Sequence, residues 1–188
     1  GEFFTAGTKP PFNNLREWTT ALAEIPLVAQ PGTIWNYSVG MDVMGALIEE
    51  LSGMSFGEFL EERIFGPLGM EDTGFTVPDN KLDRFSANYG PLPGNMMLMD
   101  DPEKSGYRTP PQLESGGGGL VSTVGDNLKF AQMLLNKGEY EGKRYLGKKT
   151  VEFMTSNHMG SESADEGLTN LFNMLGSGYR VRGMGFGV

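Results

Sequence analysis

The sequence predicts a mainly α chain with long irregular connections and little sheet. Three observations carry that expectation. Apolar residues recur at helical spacing in several segments, capping residues stand just ahead of them, and Gly and Pro crowd the stretches between. The clearest segment is Pro31 to Gly53. Pro31-Gly32 suits the centre of a β-turn, because Pro presets φ and Gly tolerates positive φ. Val39, Val43, Leu47 and Leu51 then recur every fourth residue, Ile48 widens the stripe, and Gly53 stands where a helix C′ residue belongs.

The other elements follow in order. Gly1 to Phe12 reads as irregular. Asn13 or Asn14 caps a helix from Leu15 to about Ile25, with Leu15, Trp18, Leu22 and Ile25 on its apolar face and Pro26 as its stop. Ser55-x-x-Glu58 is a capping box for a helix to about Phe65. Phe56, Phe59, Leu60 and Ile64 form its buried side, and Pro67 and Gly69 end it after at most one more turn. Residues 71 to 115 carry little periodicity and many prolines, so an irregular stretch is expected there. Met96, Met97, Leu98 and Met99 make a soft apolar patch inside it, suited to filling a core gap or to lining a substrate pocket.

Gly116 to Gly119 follow Glu114-Ser115. A phosphate loop would need a Lys-Ser/Thr pair after the glycines, and none is there. Close backbone approach or a tight turn explains the run better. Ser122 or Thr123 can cap the next helix, Thr123-x-x-Asp126 being an acidic variant of the capping box, and Val124, Leu128, Ala131 and Leu135 set its face with Phe130 and Leu134 adjoining. Asn136-Lys137-Gly138 is a glycine-terminated end. Glu139 to Arg144 reads as a small turn or hairpin, and Lys148 to about Asn157 as a short helix burying Val151 and Met154. The last stretch, from Gly160, is rich in Gly, and Gly183 to Val188 reads as a strand beginning.

Composition narrows the function classes. A chain of 188 residues with 38% apolar content can bury one core, so one domain is the default. A formal charge of -9 argues against general nucleic-acid binding, which needs a basic surface. With no Cys there is neither a disulfide nor a thiolate metal site. No apolar run approaches the roughly 20 residues of a spanning helix. Gly1-Glu2-Phe3 is not the charged start of a secretory leader. His158 is the single histidine. It cannot supply a two-His metal site, and the G-x-S-x-G elbow that would support a Ser-His-Asp triad is missing. A surface or packing role fits it better. No cofactor is expected.

Two blocks carry a family resemblance. PGTIWNYSVGMDVMGALIEELSGMSFGEFLEERIFGPLGMEDTGF and GGGGLVSTVGDNLKFAQMLLNKGEYEGKRYLGKKTVEFMTSNHM resemble, in the right order, stretches of serine hydrolases of the β-lactamase/penicillin-binding type. These include class C β-lactamases, D-alanyl-D-alanine peptidases and family VIII carboxylesterases. The resemblance implies a parent of α+β architecture, an antiparallel sheet with a helical lobe, of which residues 1-188 would be one partial domain, mostly the helical lobe. It aligns Tyr37 with the tyrosine that opens the family's Tyr-x-Asn motif, and so implies a catalytic role in proton transfer for Tyr37. It places Val39 at the Asn position, and Gly117 and Gly118 near the cleft, as substrate-binding positions.

The family's nucleophile is a Ser with Lys three positions later, where one helical turn sets the ammonium beside the hydroxyl. No Ser in this sequence has Lys at that offset; Ser105 and Ser177 have Arg, which hardly ever deprotonates. The closing Lys-Thr-Gly strand is also not found. A free Tyr has a pKa near 10 and needs a neighbouring cation to act as a base at neutral pH. The 188 residues alone are therefore expected to be inactive, as a piece of a hydrolase that would complete its site with another segment or associate with itself. The parent's substrate is expected to be a small ester or a β-lactam-like molecule. Val39 cannot hydrogen-bond a substrate amide as Asn does, which favours a carboxylesterase over a β-lactamase or a peptidase. A non-catalytic binding module is the rival from another class.

Overall fold

The computed structural model describes residues 12–33, 38–92 and 94–158. They fall into two compact units, Gly1–Thr20 with Met41–Asn127, and Ala21–Gly40 with Leu128–Val188. The expected strand at Gly183 to Val188, the irregular start before Phe12 and the motif residue Tyr37 lie outside the described residues.

The first unit is built on helices. Helix α1, Leu15–Ala23, is capped by Asn14, whose Oδ1 accepts the Glu17 amide at 2.8 Å. Leu15 and Trp18 are buried as the spacing predicts, while Leu22 is half-buried and Ile25 exposed. Helix α2, Gly40–Ser52, ends at Gly53, whose φ of +71° and bond to the Glu49 carbonyl at 2.9 Å make the expected left-handed stop. Helix α3, Phe56–Leu60, opens with the full capping box: Ser55 Oγ accepts the Glu58 amide and Glu58 accepts the Ser55 amide. The helix continues as a π-turn, Glu61–Phe65, and one more turn, α4, Gly66–Leu68, before Gly69 at φ +66° stops it. A core joins α1, α2 and α3. Leu15, Phe56 and Phe75 pack together with Ala46, Ile48 and Leu60 against them, and the Phe56 and Phe75 rings lie 5.8 Å apart.

The stripe on α2 does not behave as its spacing predicts. Val43, Leu47 and Leu51 are exposed, Leu51 to 79%, and the residues α2 buries are Asp42 and Gly45. Gly45 is where Leu15 and Phe56 press on the helix: a Cβ there would stand 3.2 Å from each. Close packing thus turns the small and polar side of α2 inward within this unit.

The stretch 71–115 also holds more structure than expected. A 3-10 turn, Asp79–Arg84, leads to an antiparallel hairpin of β1, Asn88–Leu92, and β2, Asn95–Asp100. The patch Met96 to Met99 is strand β2, and all four of its side chains are exposed. The core-gap expectation fails here because the hairpin presents both faces outward. A second 3-10 turn, Gly106–Arg108, follows. Helix α5, Val124–Leu135, carries the chain out of this unit. Its expected face is again exposed, with Val124 at 78% and Leu135 at 76%, whereas Asp126 and Met133 are buried.

In the second unit, the end of α5 is stopped by Gly138 at φ +91°, whose amide bonds the Met133 carbonyl at 2.8 Å. The expected hairpin forms between β3, Glu139–Tyr140, and β4, Lys143–Arg144. Arg144 holds it by bonding Glu139 and the carbonyls of Lys137 and Leu146. Helix α6, Lys148–Met154, buries Val151, with Met154 half-buried. Among the described residues no helix is long and apolar enough to cross a membrane.

Candidate functional site

The turn ahead of the family motif forms as expected. Thr33 donates its amide to the Gln30 carbonyl at 3.2 Å, and Gly32 takes φ +80°. This is a turn with Pro at the second position and a left-handed third residue, which Gly alone adopts without strain. Ser38 is exposed and Val39 half-buried, immediately before α2.

The glycine run lies in the first unit and is held by several hydrogen bonds. Ser115 donates its hydroxyl to Asp42 Oδ1 at 2.5 Å. The Gly117 amide is shared between Asp42 Oδ1 at 3.4 Å and Ser115 Oγ at 3.2 Å. The Gly119 amide returns to the Ser115 carbonyl at 3.1 Å, closing the turn. Glu114, one residue earlier, accepts the Gly57 amide at 2.6 Å at the start of α3. After the turn, Val121 and Gly74 exchange both backbone bonds, at 2.9 and 3.1 Å. Tyr107 donates its hydroxyl to the Gly118 carbonyl at 3.2 Å.

Two of the four glycines are required by contact, and a third is tightly packed. A Cβ on Gly116 would run into the Met41 carbonyl, and one on Gly119 would stand 2.9 Å from the Phe75 ring. A Cβ on Gly117 would stand 3.1 Å from Asp42 Oδ2. Gly118 differs: nothing lies within 4 Å of a Cβ built there. The close backbone approach expected of this run is therefore observed. Gly117 and Gly118 are both exposed.

A second polar cluster lies in the same unit. Asp126, 4% exposed, accepts the Asp72 amide at 2.7 Å and the Thr73 hydroxyl at 3.0 Å. Half of the expected capping box is present, since Thr123 Oγ1 accepts the Asp126 amide at 3.2 Å. The Asp126 carboxylate turns instead to residues 72 and 73, because burial favours the donors packed over it. Asp72 is gripped in turn by Arg84, through both oxygens at 2.8 and 3.0 Å, and by Lys81 at 2.8 Å. The Arg84 and Lys81 bonds hold its carboxyl well below the usual carboxylate range. A cavity of about 340 Å³ lies here, lined by Asp72, Thr73, Val77, Arg84, Phe85 and Ser122 among others, and by none of Val39, Gly117 or Gly118. No cluster among the described residues could hold a metal ion.

His158 is a surface residue. Its Nε2 donates to the Phe153 carbonyl at 2.6 Å at the end of α6, and its ring meets the Phe153 ring edge-on at 4.6 Å.

Sequence reading missed Asp42, Ser115 and Tyr107. Asp42 looks like an ordinary first-turn acid, favoured by the helix dipole. The signal that could have found it is its position between Val39 and Val43, inside an apolar repeat and three residues ahead of Gly45.

The helices around one aromatic core, the outlying hairpin and the pinned glycine turn define a mostly helical portion of a β-lactamase/transpeptidase-like fold. The chain belongs to the beta-lactamase family, whose family model matches residues 2–187. It is 35% identical over 171 residues to Protein Rv1367c of Mycobacterium tuberculosis, covering 91% of this chain and 41% of that protein. It is 32% identical over 163 residues to the lovastatin esterase of Penicillium rubens, covering 83% of this chain and 39% of the esterase. Among solved structures it resembles EstCE1, described as a hydrolase with promiscuous acyltransferase activity. That match has a TM-score of 0.72 and 25% identity, and covers 98% of this chain and 48% of EstCE1. The chain thus spans less than half the length of these relatives.

Proposed function

We propose that this chain belongs to a carboxylesterase that works through an acyl-enzyme, and that its 188 residues alone do not turn over substrate. The observation that carries the reading is the glycine turn, fixed by part-buried bonds to Asp42 yet exposed along Gly117 and Gly118, in a chain whose relatives include esterases. In this reading Gly117 and Gly118 line the acyl cleft. Tyr37 relays a proton between the nucleophilic Ser, its Lys and the leaving group, and the Ser-x-x-Lys segment comes from another part of the polypeptide or from a complementing fragment. The exposed faces of α2 and α5 support such a completion, since monomers seldom leave stripes of this kind uncovered.

Val39 sharpens the substrate class. An Asn at this position could bond an amide, whereas Val offers only an apolar surface to an acyl ester.

The test is p-nitrophenyl ester hydrolysis by the 188-residue chain, alone and with a Ser-x-x-Lys segment present. Turnover only with the segment is expected. Tyr37→Phe in the active form should then lose about 10²–10⁴-fold in kcat, the usual range for a proton-transfer group. Turnover by the 188 residues alone would call for a different nucleophile. A parallel comparison of Val39→Asn on cephalosporins and short-chain esters should show a gain on the amide-type substrate. No gain would remove the role given to Val39.

A further inference from the structure

We infer that Asp42 is a positioning residue: it clamps the glycine turn Gly116–Gly119 to the first turn of α2, and so sets where the substrate-facing backbone stands. The inference rests on the hydrolase reading above, which makes Gly117 and Gly118 part of the cleft.

Asp42 is 6% exposed. A buried carboxylate is costly unless donors satisfy it. Its donors here come from the glycine segment, through the Ser115 hydroxyl and the Gly117 amide, 73 and 75 residues away in the chain. An acid in a helix's first turn ordinarily serves that helix's own free amides. This one reaches across to a different segment.

The steric pattern agrees with the bonds. Gly116 lies flush on the Met41 carbonyl and Gly117 on Asp42 itself, so the turn rests on the backbone of α2. From the other side, Tyr107 holds the Gly118 carbonyl. Four successive glycines carry large backbone freedom. The Asp42 clamp restrains it next to Gly118, the one glycine of this run with nothing within 4 Å of a built Cβ. Tyr37 stands five residues ahead of Asp42 in the sequence. One carboxylate therefore ties the glycine turn to the helix that continues the tyrosine motif.

The experiment compares Asp42→Ala, Asp42→Asn, Ser115→Ala and Ser115→Thr in the 188-residue chain by amide hydrogen exchange. Asp42→Ala and Ser115→Ala should speed exchange at Gly117 by about tenfold, the equivalent of one lost buried hydrogen bond. Residues 56–68 should keep their protection. Ser115→Thr, which keeps the hydroxyl, should restore it at Gly117. Unchanged exchange at Gly117, or an equal rise across the whole unit, would overturn the clamp. The same variants are then assayed in the enzyme that carries this chain with its Ser-x-x-Lys segment. KM for a p-nitrophenyl ester should rise several-fold with kcat retained, because folded molecules hold the cleft less well. An unchanged KM beside a loosened turn would overturn the positioning role. If the unaltered enzyme shows no ester turnover, the hydrolase reading fails, while the exchange result still decides the clamp.

Discussion

The glycine turn and the β1–β2 hairpin are opposites in composition and in constraint. The turn has almost no side chains, yet Asp42, Ser115, Glu114 and Tyr107 fix it through bonds of 2.5–3.4 Å. The hairpin carries Tyr89, Leu92 and the Met96–Met99 run, and all of these are exposed. Apolar content alone would rank them the other way round. What fixes a segment here is whether its polar groups are buried with partners, and whether its backbone can approach another backbone closely. Gly satisfies the second condition and a buried Asp the first.

Breaking the turn should give the largest effect. Gly116→Ala forces a methyl into the Met41 carbonyl and should cost about 2–3 kcal/mol in urea denaturation, at the upper end of overpacking effects. Asp126→Ala comes next. It strips the Asp72 amide and the Thr73 hydroxyl of their acceptor, for a loss of about 2 kcal/mol. A loss as large for Gly118→Ala would dissolve the contrast within the turn, since that position is open and should change stability by less than about 0.5 kcal/mol.

The hairpin gives the matching small effect. Replacing Met97 by Thr should also move stability by less than about 0.5 kcal/mol, because the side chain is exposed. If this run lines the pocket of the completed enzyme, the same change raises KM for longer acyl esters, and an unchanged KM would leave the hairpin outside the site.

The smallest effect expected is the pH dependence through Asp72. Arg84 and Lys81 lower its folded pKa, so the stabilisation is full above the unfolded value of about 4 and fades as pH falls through that value toward the folded one. The difference in urea midpoint between the unaltered chain and Asp72→Asn should be present at neutral pH and narrow in acid. A gap that stays constant would show that ionic bonding to Asp72 is not its source.

Much of the local structure was legible because its causes are local. Asn14, Ser55 and Glu58 cap within four residues of themselves, and Gly32, Gly53, Gly69 and Gly138 take the left-handed conformations that end turns and helices. The small hairpin at Glu139 to Arg144 is local too. The reading failed where the cause lay far along the chain. Spacing marks a stripe on α2 and α5 but not which side of the helix a neighbour will occupy. Leu15 and Phe56 settle that at Gly45, and the donors on residues 72, 73, 115 and 117 settle it for Asp126 and Asp42.

The sequence by itself determined the family and the order of helices, because motif order, caps and glycine stops are written in adjacent residues. It also determined that the Ser-x-x-Lys pair is not among these residues. Only the tertiary structure decided that Asp42 and Asp126 are interior and that Met96 to Met99 are not. It alone showed that Gly116 and Gly119 leave no room for a side chain while Gly118 is left open. The physical reason is that burial is a property of pairs of segments brought together, and no short window of sequence contains both members of such a pair.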